Sequence, residues 1–361
     1  MATGPPVANT ALVTGSSGFI GSAVIRALLA QGSGVRVLLE PGREPGLWPA
    51  DDVEIVVGDV RDAAAVDRAV AGIGTVFHLA AIYRFWAPDP ELFYDVNVRG
   101  TQNVLRSAAD AGCRRFVYTS TVATLGVATA DELASEKTLV HFEHLFGHYK
   151  RSKYMAEHEV LRAGARGLPV VLVHPTFPVG PGDRAPTPTG RTIVEFLNGR
   201  IPAYVDTSLN IAHVDDVARG HVLAAELGRV GHSYVLGGEN FSLYEMLEML
   251  AELCGFEPPS VRLTPRMVLP VVRTAEWFEA HVLRREPTLP SEPVRMATTR
   301  MAYDDSLARG ALGYTSRPAR EALAQAVRWY VDEGFVKPHR VARMQGAPAL
   351  RDAEDFTPVA S

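Results

Sequence analysis

Thr10-Ala11-Leu12-Val13-Thr14-Gly15-Ser16-Ser17-Gly18-Phe19-Ile20-Gly21 is the stretch that decides the fold. The apolar run Thr10 to Thr14 reads as a strand and Ser22 to Ala30 as a helix, with three glycines between them. Gly15 suits the tight turn out of the strand, Gly18 a close backbone approach to a pyrophosphate, and Gly21 the packing of helix on sheet. The helix start, with Phe19 and Ile20 in its first turn, offers free N–H groups and a positive dipole end to an anion. The spacing departs by one residue from the commonest dinucleotide fingerprint. With 31 glycines in the chain, a glycine-rich turn without a ligand is the alternative, and the strand-before, helix-after context argues against it.

Outward from this turn, strand and helix patterns alternate. Val35 to Leu39, Val53 to Val57, Thr75 to Leu79, Arg115 to Ser120 and Val170 to His174 read as further strands. Helices are expected at Asp62 to Ala71, Asn97 to Ala111 and about His148 to Ala163. Near-continuous apolar strands alternating with helices predict an α/β fold: a Rossmann-type, doubly wound parallel sheet covered on both faces. Residues 1–9 read as a flexible N-terminus and 10–175 as a dinucleotide-binding domain, its sheet and helix elements continuing to about 240. Residues 176–335, interleaved with that core, read as a smaller, mainly helical substrate domain. Helices are expected there at Ser242 to Leu253, around Val268 to Leu283, and at Ala319 to Glu333. Met267, Val268, Leu269, Val271 and Val272 read as a buried face of this domain rather than a lipid-touching patch. Residues 340–361 mix small, polar and acidic side chains and read as a disordered tail.

Composition narrows the classes. A net charge of −5 shows no basic excess, so nucleic acid is not an expected partner. No apolar run approaches the ~20 residues needed to span a bilayer, and residues 1–9 carry no export signal. Cys113 and Cys254 are too few for a disulfide framework and read as reduced, buried thiols of a cytoplasmic protein. A small molecule is the expected partner, and a homodimer is compatible with it.

Two further positions bear on the cofactor. Glu40 ends the second strand, 19 residues after Gly21, near the ~20-residue offset of the acid that binds the adenosine ribose. A carboxylate there repels the extra phosphate of NADP and favours NAD; Arg43 would serve that phosphate if Glu40 turned to solvent. Asp59 and the adjoining Val60, after the third strand, are placed to touch the adenine edge, although an aspartate at a strand end is also a common helix cap.

Tyr149 and Lys153, four residues apart on an expected helix, point to one side. A phenol titrates near 10, too high for a base at neutral pH, and a neighbouring ammonium lowers that value. The same lysine can hydrogen-bond a nicotinamide ribose. The chain has only four lysines and 11 tyrosines, so random placement yields only about 0.12 such pairs. Thr121, just after the fifth strand, could orient a substrate oxygen near Tyr149, with Ser120 the competitor for that role.

With these residues in this order, the chain from about 10 to 335 resembles the extended short-chain dehydrogenase/reductase superfamily of NAD-dependent epimerase/dehydratase type. The runs Gly58-Asp59, His78-Leu79-Ala80-Ala81, Asn97-Val98-x-Gly100-Thr101, Thr119 to Gly126, Tyr149-x-x-x-Lys153 and Pro175 fall in its order, as does His213 to Ala218. Tyr83 to Pro90, Pro186 to Arg191 and Phe196 to Thr207 look closer still to the hopanoid-associated sugar epimerases, themselves similar to dihydroflavonol reductases. The resemblance implies a tyrosinate base at Tyr149, a ribose-binding Lys153 and a substrate-hydroxyl partner at Thr121. It also implies cofactor contacts at Asp59, Leu79, Ala80 and Asn97, and carries Ala81, Thr119 and Pro175 into the candidate cofactor set. Arginine is frequent in that group where Glu40 stands, serine is usual where Thr121 stands, and Asn-Pro-Ser is common where this chain has His174-Pro175-Thr176.

Tyr83, Trp86 and His148 complete the expected substrate set with Thr121 and Tyr149, since an aromatic loop after the fourth strand sits where ligands bind in such sheets. His141, His144 and His148 lack the spacing of known zinc motifs and read as pocket rim, with no metal expected. Three functions fit these residues. The first is hydride transfer between NAD or NADP and a secondary alcohol or ketone. A nucleotide-sugar epimerase with tightly held NAD is the alternative, for which Arg191 and Arg200 are candidate diphosphate ligands. A cofactor-sensing regulator without turnover would not need the Tyr–Lys pair.

Overall fold

A computed structural model describes residues 10–351 other than 286, 288–290 and 298. The expected flexible segment 1–9 therefore lies outside the described residues. In chain order the first strands are β1 (Thr10–Thr14), β2 (Gly34–Leu39), β3 (Val53–Val57), β4 (Thr75–His78), β5 (Arg115–Thr119) and β6 (Val170–Pro175). They are followed by β7 (Phe177–Val179), β8 (Ala203–Val205), β9 (Ser208–His213), β10 (Ser233–Leu236), β11 (Glu239–Ser242) and β12 (Val261–Leu263). The main sheet has seven strands, all parallel, in the order β10-β6-β5-β4-β1-β2-β3. The chain winds outward in both directions from β1, so the switch point lies between β1 and β4, where a doubly wound sheet opens a crevice at its carboxyl edge.

The helices of the first half are α1 (Phe19–Ala30), α2 (Ala63–Val70), α3 (Glu91–Tyr94), α4 (Thr101–Asp110) and α5 (His148–Ala165). Those of the second are α6 (Pro188–Leu197), α7 (Val214–Leu227), α8 (Leu243–Cys254), α9 (Pro265–His281), α10 (Ser291–Met296), α11 (Ser306–Leu312), α12 (Ala319–Asp332), α13 (Pro338–Arg343) and α14 (Pro348–Arg351). Apolar faces of α1 and α7 cover one side of the sheet through Val24, Ile25, Leu28, Val217 and Val222. Those of α2, α4 and α5 cover the other through Val66, Val70, Val104, Leu105, Ala156 and Val160. Strands such as β6, with every residue buried, carry no polar alternation because both of their faces are dry.

Beyond Pro175 the described structure is mainly helical, as expected, with short strands the sequence did not announce. β7, β9 and β11 form a three-stranded sheet and β8 pairs with β12, while α6, α8 and α12 close a second core around Leu197, Leu250 and Leu323. Residues 340–351 are not the start of a tail. They belong to α13 and α14 and the turn between them, with Met344, Ala347 and Ala349 buried in that second core. The turn residues Met344 and Ala347, with Ala349 and the partly buried Val341 and Leu350, hold the segment against that core. Residues 352–361 of the expected tail lie outside the described residues. The expected buried face of α9 is only partly so: Val272 is buried, whereas Met267 and Val271 are 64% and 70% exposed. No helix among the described residues is long and apolar enough to cross a membrane.

Two buried histidines tie the sheet to its helices. His221 of α7 faces the Val217 carbonyl through Nδ1 at 2.7 Å, so Nδ1 carries the proton and Nε2 accepts from the Thr119 hydroxyl at 2.9 Å. His78, at the end of β4, is equally buried. Burial pulls His221 down to about 4 and His78 down to about 3, with the Lys153 charge adding to the effect on His78. Each binds a proton in the unfolded chain near 6.5 but not in the fold, so their support is whole above 6.5 and is lost as pH falls toward 3–4. Urea unfolding should therefore show a loss of about 2 kcal/mol per histidine between pH 7.5 and pH 5. His221→Gln should reduce that pH slope by about one proton's worth; an unchanged slope refutes the assignment.

Candidate active site

The turn after β1 is shaped by backbone meeting backbone. Gly15 has φ +70°, and a Cβ there would lie 2.7 Å from the Ala80 nitrogen and 2.8 Å from the Leu79 carbonyl carbon at the end of β4. A Cβ on Gly21 would fall on the Gly15 carbonyl oxygen, and one on Gly18 would lie 3.1 Å from the same atom. Gly21 thus lets α1 pack against the turn itself, not the sheet expected from sequence. Gly18 precedes α1 with no side-chain cap, and the first i→i−4 bond runs from Ser22 N to Gly18 O at 2.9 Å. The N–H groups of Phe19, Ile20 and Gly21 precede that bond and remain for an anion. A glycine-walled cradle at a helix start, at the sheet's switch point, fits a dinucleotide pyrophosphate.

Behind the cradle runs a chain of hydrogen bonds that fixes its own polarity. The Thr101 hydroxyl donates to the Asn97 carbonyl at 2.6 Å, so it accepts from His78 Nε2 at 2.9 Å. His78 Nδ1 is then the acceptor for the Thr14 hydroxyl at 2.7 Å. The Thr14 oxygen in turn accepts from the Leu79 and Ala80 N–H groups at 3.2 and 3.1 Å. Leu79 and Ala80 are half-buried and Ala81 is exposed, in the loop facing the cradle.

Asn97 sits on a π-helical turn, Asp95–Gly100, and is 1% exposed. Its Oδ1 accepts from Ile82 N at 2.8 Å and its Nδ2 donates to Ser152 Oγ at 2.9 Å. Its amide therefore ties the loop after β4 to α5 instead of being free to face a cofactor. Val60 packs against Gly100, whose absent Cβ would lie 2.7 Å from it. Asp59 accepts from the backbone and guanidinium of Arg61, which holds its carboxyl below the usual range. Glu40 and Arg43 are exposed and paired with each other at 3.1 Å beyond the end of β2.

Tyr149 and Lys153 lie on the buried face of α5. Lys153 donates to Tyr118 Oη at 2.9 Å and to the Thr119 carbonyl at 2.7 Å, and its ammonium lies 4.3 Å from the Tyr118 ring centre. Burial pulls its amine down to about 7, opposed by the nearby Glu157 carboxylate. Tyr149 is 7% exposed, and burial raises its phenol well above the usual value while a hydrogen bond with Thr121 works the other way. Here the structure corrects the electrostatic expectation: Lys153 is turned to Tyr118 and Thr119, desolvation and the Glu292 charge raise the Tyr149 phenol, and it is a neutral O–H. Thr121 Oγ1 also accepts from Ala123 N at 3.2 Å, capping the short turn after β5. Pro175 is buried at the end of β6, and Thr119 presents its carbonyl to Lys153 and its hydroxyl to His221.

The aromatic loop closes over this pair. The Tyr83 ring lies 5.0 Å from the Tyr149 ring and 6.4 Å from Phe85. Trp86 lines a cavity of about 260 Å³ with Phe85, Phe93, Phe146 and His148. His148 is otherwise exposed, 3.1 Å from Tyr94 Oη and stacked on Phe93. His141 and His144 are exposed, and no metal-binding cluster is formed among the described residues. Arg200 is paired with Glu195 at 2.9 Å. Cys113 and Cys254 are buried, their thiols pushed up to about 11 and about 12.

Two residues of this region went unread in the sequence. Glu157 continues the four-residue spacing from Tyr149 and Lys153, so helical periodicity offered it. It accepts from Thr124 Oγ1 at 2.8 Å and Ser120 Oγ at 2.5 Å, which assigns Ser120 to bracing the loop rather than to the substrate. Glu292, on α10, shares the cavity wall with no sequence signal pointing to it.

A switch-point crevice with a phosphate cradle, a buried tyrosine–lysine helix and an aromatic cavity define an NAD-linked enzyme of oxidoreductase or epimerase type. Residues 11–237 match the model of the NAD dependent epimerase/dehydratase family, and the chain belongs to that family. It is 40% identical over 338 residues to a protein of Synechocystis sp. named putative dihydroflavonol 4-reductase, covering 92% of this chain and 97% of that one. Over 328 residues it is 32% identical to sterol demethylase protein B of Methylococcus capsulatus, covering 91% and 100%. The crystal structure of gox2253 superposes with a TM-score of 0.82 at 42% identity, covering 91% of this chain and all of that one.

Because a methyl group at Gly21 would collide with the Gly15 carbonyl, Gly21→Ala should weaken NADH binding at least ~10-fold, or ~1.4 kcal/mol. Fluorescence titration checks this, and an affinity within twofold of wild type contradicts the cradle.

Proposed function

We propose that this enzyme moves a hydride between NAD and a secondary alcohol or ketone, and that reduction of an apolar ketone is the direction its site suits. The bound dinucleotide would supply or accept the hydride. Tyr149 exchanges the proton with the substrate oxygen, Thr121 orients that oxygen, and Lys153 holds the ribose. The observation that carries this reading is Tyr149 buried under the Tyr83 ring and one turn from Lys153 on α5, with desolvation favouring its neutral phenol and Thr121 acting on it. A neutral phenol is a proton donor, which is what a carbonyl oxygen needs as it becomes an alkoxide. The relatives named for a reductase and for sterol chemistry support an apolar substrate.

An epimerase with retained NAD would use the same three side chains. The cavity beside Tyr149 favours it less, since its charged walls are Glu276, Glu292 and Arg295 and offer poor reception to a diphosphate. NADH accumulating with an alcohol substrate would separate the two. Purified protein that binds NADH and turns over no member of a broad carbonyl panel would instead revive the regulator reading.

Tyr149→Phe removes only the exchanging oxygen, so turnover with a carbonyl panel should fall ~100-fold or more while NADH binding persists. Retention of over a tenth of wild-type turnover in folded protein rules the role out. For the cofactor, Glu40 is the group that repels a 2′-phosphate, and removing it also releases Arg43. Glu40→Ala should shift the NADP-to-NAD ratio of kcat/KM upward by roughly tenfold, about 1.4 kcal/mol. An unchanged ratio places both residues outside the ribose site.

A further inference from the structure

The cavity beside Tyr149 is not uniformly apolar. Among its aromatic walls stands the carboxyl of Glu292, only 7% exposed, and its Oε1 is shut off from solvent and has no hydrogen-bond partner among the described residues. Gly147, two residues before Tyr149, has φ +80°, and a Cβ there would fall on the Glu292 carboxyl. The acid therefore presses directly against the entry to α5. Its charge also acts on the Tyr149 phenol. A buried acceptor with no donor is costly and is rarely kept without a partner. Apolar walls with one convergent polar group are the usual build of a pocket that fixes an apolar ligand's orientation.

We propose that Glu292 is the polar anchor of the substrate pocket, accepting a hydrogen bond from a second hydroxyl of an apolar, ring-containing ketone or alcohol. This rests on the reading of Tyr149 as the proton-exchanging group and adds the substrate class: a hydroxy-ketone or diol with its two oxygens on separate parts of the ring system. Phe85, Trp86, Phe93 and Phe146 bury the ring body, and a small turn of the carboxyl away from Gly147 brings an oxygen to the ligand hydroxyl. Arg295 lies 5.3 Å from the Phe146 ring centre, on the same wall.

Other charges tune the anchor without replacing it. Burial raises the Glu292 carboxyl to about 7; Lys150 and Arg295 act to lower it, and Glu276 to raise it. His148, the remaining titratable group on this cavity's wall, is turned to Tyr94. The ionised carboxylate is the stronger acceptor, so a hydroxylated ligand binds best once the proton has left.

The test is a tryptophan-fluorescence titration of the full-length, NADH-saturated protein with β-tetralone and its 6-hydroxy, 7-hydroxy and 6-methoxy derivatives. The better-placed hydroxy derivative should bind at least tenfold more tightly than the parent and the methoxy compound, with the preference growing between pH 6 and pH 8. Glu292→Leu should bring all four ligands within twofold of one another. Glu292→Gln, which keeps the side-chain volume and guards against misfolding, should make the preference independent of pH. A wild type that does not bind the hydroxy compounds preferentially overturns the anchor, and so does a Glu292→Leu protein that keeps the preference. Fluorescence reports occupancy rather than turnover, so Tyr149→Phe should retain the hydroxyl preference while losing hydride transfer. Failure of either claim is then visible without the other.

Discussion

The structure depends on one steric constraint: the turn leaving β1 must lie against the end of β4 with no side chain between them. Gly15 meets the Leu79–Ala80 peptide, and Gly21 meets Gly15, so two glycines let three stretches of backbone occupy a space where one methyl group would force them apart. This contact sets the width of the crevice at the switch point. The hydrogen-bond chain from Thr14 through His78 and Thr101 to Asn97 then holds both strand ends in register behind it. Because every member of that chain has an assigned donor and acceptor, the network is satisfied, and a buried neutral histidine becomes a rigid spacer.

From that fixed crevice, α5 works as a ruler. Tyr149, Lys153 and Glu157 follow one another at four-residue steps, and each is held at its outer end by a group from the loop after β5 or from β5 itself. Thr121 engages Tyr149, Tyr118 and Thr119 engage Lys153, and Ser120 and Thr124 engage Glu157. Asn97 adds a further tie from the π-helical turn to Ser152. Tyr149, Lys153 and Glu157 are therefore all placed by the short segment 118–124, which cannot move without disturbing all three helical positions.

How much of this was legible in the sequence follows from the range of each signal. The glycine turn, six of the seven main-sheet strands and the Tyr149–Lys153 spacing are local patterns, written within a dozen residues, and they could be read directly. β10 joins the same sheet beside β6 only after β7 to β9, α6 and α7 have intervened, so its short Ser233–Leu236 run carries no local mark of its neighbour. Met344 and Ala347 are held by contacts with distant helices, and a sparse apolar pattern there resembles a tail until the second core is seen. Glu292 is separated from Tyr149 by more than a hundred residues and becomes a pocket wall only through the placing of α10. Sequence order could not disclose the electrostatic balance either, since proximity of lysine to tyrosine is a matter of spacing but desolvation is a matter of the whole fold.

That balance gives the site its character. Burial drives each of its principal ionisable groups toward the uncharged form: His78 and Lys153 downward, Tyr149 and Glu292 upward. In such surroundings a full charge is poorly solvated and any charge that develops is felt strongly. In the proposed reduction, hydride transfer to a carbonyl would place negative charge on one oxygen, and the neutral Tyr149 hydroxyl would discharge it by giving up its proton. In that reading the Lys153 ammonium, which burial disfavours and the Glu157 carboxylate favours, would stabilise the negative phenol oxygen. A pocket that resists standing charge but holds groups poised to exchange it fits the proposed successive movement of hydride and proton, and fits it better with an uncharged substrate than with one carrying a permanent charge.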